Sequence, residues 1–191
     1  SIFQWSKENE VNIFVVSASG SSVDRVEKAK TRLNLILGTE CSITFSAIGN
    51  PAELSNFISE HNIQAAIIST PDHLHFQQLK EALSKGVHCL CVKPLVTKVA
   101  HHAELKEVCE KNNSFLAVEF HKRFDEAFLQ ARKIIQSGEL GAPRIITADY
   151  SQRRIIPEEI FSDWRGDTNI FQYLGIHFVD LIGWITNAEP T

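Results

Sequence analysis

The 191-residue sequence contains no methionine, no G-x-G-x-x-G turn and no long apolar run. The first two absences predict that the chain is a piece of a longer polypeptide. Without an apolar run of about 18 residues, no transmembrane helix is expected. The first residues lack the basic start and apolar core of a signal peptide. We therefore expect a cytoplasmic protein with no membrane partner.

Charge and cysteine content exclude further classes of function. A net charge of −4 gives no electrostatic reason to bind nucleic acid. The four cysteines follow no metal-binding or redox spacing: Cys89 and Cys91 alternate along one expected strand, and Cys41 and Cys109 lie far away in sequence. This pattern predicts buried, reduced thiols. No metal site is expected, because the paired histidines have no evident third ligand.

Apolar runs and helical patterns alternate along the first 120 residues. Strands are predicted over 11–16, 64–70, 87–91 and 115–120, and helices over 23–37, 50–60, 76–85 and 98–111. The strand at 64–70 is continuously apolar, as in a parallel sheet that is covered on both faces. The alternation predicts a doubly wound, parallel α/β sheet.

Beyond Phe120 the pattern changes. Helices are predicted over 125–137 and 170–186, with one long strand over Pro143–Ser151 between them. One strand and two helices do not make a stable domain. We therefore expect a first domain at residues 1–119 and only the truncated beginning of a second at 120–191.

Lys93 stands between the strand 87–91 and Pro94. Proline cannot extend a strand ladder and fixes its own φ, so the lysine is held at the carboxyl end of the strand. In open α/β sheets ligands bind at that end. A desolvated lysine there can bind an anion or share a proton with a substrate hydroxyl. A solvated lysine at a strand end is the structural alternative.

The predicted helix 170–186 brings four functional side chains onto one narrow stripe, namely those of Tyr173, His177, Asp180 and Trp184. Histidine titrates near neutrality, and a carboxylate one turn later can orient its ring. Tyr173 and His177 are therefore a candidate acid–base unit. The alternative is a histidine that pairs with Asp180 for structure.

Four segments together resemble motifs of the Gfo/Idh/MocA oxidoreductases. They are Ile67–His75, Gly86–Leu95, Phe120–Asp125 with Ser137–Pro143, and Gly175–Asp180. The resemblance implies a Rossmann-like dinucleotide-binding domain at 1–119 and the start of a substrate and oligomerisation domain at 120–191. It also implies NADP or NAD as cofactor, a sugar-like or cyclitol-like substrate, and a homo-oligomer when the protein is full length.

The resemblance further implies roles for single residues. Lys93 touches both the nicotinamide side and the reacting secondary hydroxyl, while His177, helped by Tyr173, takes the proton as hydride passes to the nicotinamide. The expected cofactor contacts in this part of the chain are Ser69, Thr70, Pro71, His75 and Lys93, and the expected substrate contacts are His121 and Asp180. The implied function is that of an NAD(P)-dependent oxidoreductase.

Two departures from the family pattern leave alternatives open. Val92 stands where the family usually has glutamate, and Tyr173 where many members have aspartate. Losing both carboxylates removes groups that would tune the lysine and assist proton transfer, although the Tyr173 hydroxyl can itself donate and accept a proton. The alternatives are a non-catalytic sugar- or nucleotide-binding relative and a redox-assisted glycosidase or lyase on the same fold.

The strand 11–16 is predicted to be the second strand of the fold, with residues 1–10 ending the first helix; the alternative is that it is the first strand. Ser17 and Ser19 then stand where an acid would bind the ribose 2′-hydroxyl of NAD. Together with Arg25 they fit the 2′-phosphate of NADP better, and a serine-rich surface turn is the alternative. Without the phosphate-binding turn, this chain alone is expected to bind the cofactor weakly.

Overall fold

The computed structural model describes Trp5, Asn9 and residues 11–17, 22–38, 43–47, 51–162 and 164–189. The chain divides into two compact units, Ser1–Glu60 and His61–Thr191. The division does not coincide with the domain boundary expected after residue 119, and that boundary stays a prediction.

The described residues of the first unit form two strands and two long helices: β1 (Ile13–Ser17), α1 (Ser22–Leu37), β2 (Ile43–Ala47) and α2 (Pro51–Glu60). The two strands pair in parallel, with Ile13 opposite Ile43. Trp5 and Asn9 are helical, and Asn9 Nδ2 donates to the Trp5 carbonyl over 2.9 Å. This agrees with the helix expected within residues 1–10 at the two positions that are described.

Strand β2 was not among the predicted elements. Its sequence, Ile-Thr-Phe-Ser-Ala, alternates apolar and polar residues with the period of two that is typical of a half-buried strand. That alternation is the signal that could have found it. The remaining elements of this unit agree with the predicted strand at 11–16 and the helices at 23–37 and 50–60.

The second unit begins with a three-stranded parallel sheet and two helices: β3 (Ala65–Ile68), α3 (His75–Ser84), β4 (His88–Val92), α4 (Val99–Asn112) and β5 (Leu116–Glu119). The strand order is β3-β4-β5. Short 3-10 turns, Asp72–Leu74 and His121–Phe124, follow β3 and β5. Strand and helix alternate as predicted, which confirms the parallel α/β fold.

The core of this sheet lies under α3 and α4, where Leu79, Leu83 and Leu105 are fully buried. Cys89 and Cys91 of β4 point into it together, as their alternation predicted, and both are buried free thiols. Cys41 lies outside the described residues. The expectation that β3 is covered on both faces is wrong within this unit, because Ile67 is 55% exposed while Ile68 is buried.

After β5 come two helices that pack on each other, α5 (Glu126–Gln136) and α6 (Ile176–Thr186). Helix α5 begins after Asp125, whose carboxylate accepts a hydrogen bond from the Ala127 amide over 3.2 Å, as a helix cap does. At the other end of α5, the Gln136 amide donates to the Trp184 and Ile185 carbonyls. These contacts fix where α6 lies on α5.

Two predictions for this region need correction. The strand predicted over Pro143–Ser151 is absent, and the segment is exposed, irregular chain. A strand needs a neighbour for its backbone groups, and none of the described residues pairs with this segment. The helix predicted over 170–186 begins as a π-helical turn, Phe171–Gly175, before α6. Among the helices that the structure describes, none is long and apolar enough to cross a membrane.

Candidate active site

The carboxyl ends of β3, β4 and β5 lie at one edge of the sheet. In register, Ile68 pairs with Cys91, Cys91 with Val118, and Val92 with Glu119. The residues that follow each strand therefore leave the sheet at the same level. In open parallel sheets this is the edge where ligands bind. The expected cofactor and catalytic residues of this unit follow these strand ends or belong to α6 and the segment before it.

Lys93 is the first residue after β4 and is joined to Pro94 by a cis peptide bond. Its ammonium donates to the Tyr173 carbonyl oxygen over 2.5 Å and lies 4.0 Å from the centroid of the Tyr173 ring. Burial lowers the pKa of Lys93, and the charges of Asp72 and Glu119 act against this lowering. Lys93 is therefore presented at the strand end, as its place before proline predicted.

Tyr173 reaches Lys93 from the π-helical turn before α6. A Cβ on Gly175 would come within 2.6 Å of the Phe171 ring, so the tight winding of this turn favours glycine. Burial raises the pKa of the Tyr173 phenol, and a hydrogen bond with the Gln152 side chain acts against it. The phenol stays protonated at neutral pH, so it can act as a donor.

His177 lies in the first turn of α6 and is 6% exposed. The rings of His121 and Phe120 contact it edge-on, with centroid distances of 4.7 and 6.3 Å. Its Nδ1 is buried and has no hydrogen-bond partner among the described residues. Burial, followed by the charge of Lys93, lowers the pKa of His177 to about 4. At neutral pH its imidazole is uncharged and has an unused nitrogen.

The structure thus brings together the three residues predicted to be catalytic, Lys93, Tyr173 and His177. His121 joins them from the turn after β5. Its Nδ1 lies 3.3 Å from Glu119 Oε2 and its side chain is largely exposed. This exposure leaves His121 free to meet a ligand, and its expected substrate contact stays a prediction.

Asp180 does not orient His177, contrary to the sequence-based interpretation. Its two carboxylate oxygens accept from Arg123, with Nε at 2.8 Å and Nη2 at 2.5 Å. The Asp180 side chain is buried, and the hydrogen bond to it raises the pKa of Arg123. The pairing joins the turn after β5 to α6. It gives Asp180 a structural partner, and the expected substrate contact by Asp180 stays a prediction.

The turn after β3 contains the expected cofactor contacts Ser69, Thr70 and Pro71. Ser69 is exposed, whereas Thr70 donates through its hydroxyl to the Gln78 amide oxygen over 2.6 Å. His75 is completely buried: Nδ1 lies 2.8 Å from the Pro94 carbonyl oxygen, and Nε2 lies 2.8 Å from that of Thr70. The ring thus joins the turns after β3 and β4, and the expected cofactor contact by His75 stays a prediction.

The three residues expected to choose between NAD and NADP belong to the first unit. Ser17 ends β1 and pairs through its backbone with Ala47, but its side chain lies outside the described part. Ser19 also lies outside the described residues. Arg25 is an exposed residue of α1. Their roles stay predictions.

Asp72 is the residue that sequence reasoning missed. It begins the 3-10 turn after β3, is 5% exposed, and accepts a hydrogen bond from the Thr168 hydroxyl over 2.7 Å. The available signal was a carboxylate two residues after Thr70, which ends the predicted strand 64–70. Its contact with Thr168, however, joins it to a segment 96 residues away.

Among the described residues, no group of three His, Cys, Asp or Glu side chains is placed to hold a metal ion.

Lys93, Tyr173 and His177 lie at the carboxyl edge of a parallel sheet. This arrangement is typical of α/β proteins that bind small ligands at that edge. The chain belongs to the Gfo/Idh/MocA oxidoreductase family, which has an NAD-binding Rossmann fold. The model of that family matches residues 13–120, and the model of the Gfo/Idh/MocA C-terminal domain matches residues 128–191. The family resemblance of the four motifs is thereby confirmed.

Three relatives illustrate the range of similarity. An uncharacterized oxidoreductase of Schizosaccharomyces pombe is 36% identical over 88 residues, which are 46% of this chain and 24% of that protein. Inositol 2-dehydrogenase of Salmonella typhimurium is 25% identical over 135 residues, 70% of this chain and 38% of that protein. The crystal structure of myo-inositol 2-dehydrogenase from Lactobacillus plantarum superposes with a TM-score of 0.71 at 25% identity, covering 93% of this chain and 49% of that one. The chain spans about half the length of these relatives or less.

Proposed function

We propose that the full-length protein is an NAD(P)-dependent oxidoreductase that acts on a secondary hydroxyl of a sugar or cyclitol. The observation that carries the proposal is the convergence of Lys93, Tyr173 and His177 at the carboxyl edge of the sheet. The inositol dehydrogenases among the relatives support the substrate class.

The described residues at this edge fit a nicotinamide cofactor. The exposed turn at Ser69 and the partly buried Lys93 are available to it, and the unused Nδ1 of His177 is a buried polar atom in need of a partner. When bound, the nicotinamide supplies hydride transfer. We assign Ser69, Thr70, Pro71 and Lys93 to hold it, and Ser17, Ser19 and Arg25 to the adenosine ribose, where serines favour NADP over NAD.

Lys93, His177 and Tyr173 each have a proposed role that agrees with their surroundings. Lys93 exchanges its hydrogen bond with the Tyr173 carbonyl for one with the reacting hydroxyl, which it thereby positions. His177 is uncharged at neutral pH and can take the proton of that hydroxyl. The Tyr173 phenol remains protonated and assists as donor. His121 faces the substrate from the rim.

A cofactor titration and a turnover assay test the proposal. Full-length protein is titrated with NADH and with NADPH, followed by the fluorescence of the reduced nicotinamide. It is then assayed for reduction of NAD⁺ and NADP⁺ with a panel of inositols and aldoses. We expect binding of one dinucleotide and turnover with at least one polyol. The proposal would be overturned if the protein bound neither NADH nor NADPH.

A non-catalytic sugar- or nucleotide-binding relative is the second candidate. The observation that favours it is the engagement of the Lys93 ammonium by a backbone carbonyl, together with Val92 in the place of a carboxylate. For such a protein the same experiment gives dinucleotide binding without turnover across the whole panel.

A further inference from the structure

Asp72 is a buried carboxylate for which the proposed chemistry has no use so far. It is 5% exposed, and its Oδ2 accepts the hydrogen bond from the Thr168 hydroxyl over 2.7 Å. A buried charge is unfavourable unless a cation or several hydrogen bonds compensate for it. The position of Asp72 therefore raises the question of which cation balances it.

The neighbouring strand β4 leads to a candidate for that cation, the ammonium of Lys93. Because Ile68 pairs with Cys91, Asp72 and Lys93 leave neighbouring parallel strands at the same edge of the sheet. Among the charges that act on Lys93, that of Asp72 is the largest, and that of Glu119 comes second. The same Asp72 charge also acts on Cys91 and on Tyr173, which stand on two sides of the lysine.

The other titratable groups that face Lys93 do not replace Asp72. Glu119 at the end of β5 has His121 as a partner, 3.3 Å away. Tyr173 presents its ring and its carbonyl, and neither is charged at neutral pH. His177 is uncharged near neutrality, since its pKa is about 4. Val92, the residue directly before the lysine, offers no charge.

Asp72 also holds the segment that covers Lys93. Thr168, which donates to Asp72, lies five residues before Tyr173. The same segment is attached at two more points, where Asp167 Oδ2 lies 3.6 Å from His73 Nδ1, and where the Gln172 amide donates to the Thr97 carbonyl over 3.5 Å. The carboxylate of Asp72 thus holds, through Thr168, the segment whose Tyr173 contacts Lys93.

We propose that Asp72 is the positioning residue of the candidate active site: its carboxylate favours the charged form of Lys93 and, through Thr168, holds the segment with Tyr173 against the end of β4. Val92, directly before the lysine, has no charge. Asp72 supplies a negative charge instead, from the turn after the neighbouring strand β3. The catalytic consequence of this inference rests on the proposed oxidoreductase function, whereas its electrostatic part does not.

The test measures how readily Lys93 of the full-length protein is methylated by formaldehyde and cyanoborohydride as a function of pH. Labelling is quantified by mass spectrometry of the Lys93 peptide and normalised to the exposed Lys98. Only the neutral amine reacts. Removing a nearby negative charge destabilises the ammonium, so Asp72→Asn is expected to shift the labelling midpoint to lower pH.

Two further variants separate charge from hydrogen bonding. Glu119→Gln is expected to shift the midpoint in the same direction but by less, and Thr168→Val, which keeps the carboxylate, by much less than Asp72→Asn. An unchanged midpoint in Asp72→Asn overturns the proposal, and so does an equal shift in Thr168→Val. If Asp72→Asn does not fold, Asp72→Ser removes the same charge and keeps a hydroxyl for Thr168.

Labelling needs no enzymatic activity, so it separates this proposal from the proposed function. A shifted midpoint in a protein without dinucleotide-dependent turnover supports the role of Asp72 and overturns the oxidoreductase. In an active enzyme, Asp72→Asn is expected to move the alkaline limb of kcat/KM to lower pH, and Asp72→Glu to restore it. If the enzyme is active but Asp72→Asn changes neither the alkaline limb of kcat/KM nor the labelling midpoint, the role of Asp72 is overturned and the oxidoreductase function stands.

Discussion

The Lys93 ammonium donates a hydrogen bond to the Tyr173 carbonyl and lies 4.0 Å from the centroid of the Tyr173 ring. Two elements separated by 80 residues meet in this contact. The backbone and the ring of Tyr173 thus hold the lysine, while its hydroxyl has a separate partner in the Gln152 side chain.

Tyr173→Phe separates these two parts of the tyrosine. It keeps the carbonyl and the ring but removes the hydroxyl, so the Lys93 contact survives and proton donation is lost. We expect kcat of the full-length enzyme to fall by about 10², the lower end of what one acid–base group contributes. Tyr150→Phe, at the chain's other tyrosine, is the matched control. Equal kcat values for the two variants would show that the Tyr173 hydroxyl has no catalytic part.

The pairing of Arg123 with Asp180 is expected to stabilise the fold. Arg123→Met leaves a buried carboxylate without its cation, so the free energy of unfolding should fall by about 2 kcal/mol. Arg154→Met is the control, since Arg154 and Glu158 form an exposed pair whose loss should change stability by less than about 0.5 kcal/mol. Urea unfolding followed by circular dichroism measures both. Similar losses in the two variants would contradict the structural role of Asp180.

His177 predicts a pH dependence of stability with a definite sign. Its pKa is about 4 in the folded protein and about 6.5 in an unfolded chain, so between these values only the unfolded state binds the proton. Stability should therefore fall as pH decreases from about 6.5 to 4, by about 1–3 kcal/mol from this residue. His177→Gln removes the titration. Thermal melts at pH 7 and 4.5 test this, and parallel losses in wild type and variant would refute it.

Cys89 and Cys91 are expected to resist thiol reagents. Burial raises the pKa of each to about 12, which leaves very little thiolate, the reactive form, at neutral pH. Cys109 is only half-buried and serves as the internal comparison. Peptide mapping after timed alkylation of the native protein should find Cys109 modified well before the other two. In denaturant all three should react alike, and equal rates in the native protein would count against the burial of β4.

Sequence patterns predicted the parts of the fold that depend on local periodicity and on proline. The alternating strands and helices and the position of Lys93 at a strand end belong to this group. The pairing of Arg123 with Asp180 and that of Thr168 with Asp72 could not be read in this way. These pairs join residues 57 and 96 positions apart, and only the packing of α6 and its preceding segment brings them together.

Other misses have a different physical cause. Pro143–Ser151 has the composition of a strand, but a strand exists only where another segment accepts and donates its hydrogen bonds. His75 was expected to face a cofactor, but the carbonyl oxygens of Thr70 and of the distant Pro94 engage both of its ring nitrogens. In both cases the sequence showed the local tendency correctly, but the structure depends on which other segments lie beside it.

Lys93 is proposed to serve hydride transfer in a dinucleotide-dependent enzyme. The most direct test of this role compares Lys93→Ala with Lys98→Ala in the full-length protein, since Lys98 is exposed and lies five residues further on. For each variant, dinucleotide binding is titrated and reduction of the cofactor by the best polyol is followed. We expect Lys93→Ala to lose at least about 10² in kcat while it still binds dinucleotide, and Lys98→Ala to match the wild type. A Lys93→Ala variant that reduces the cofactor as fast as the wild type would contradict the claim.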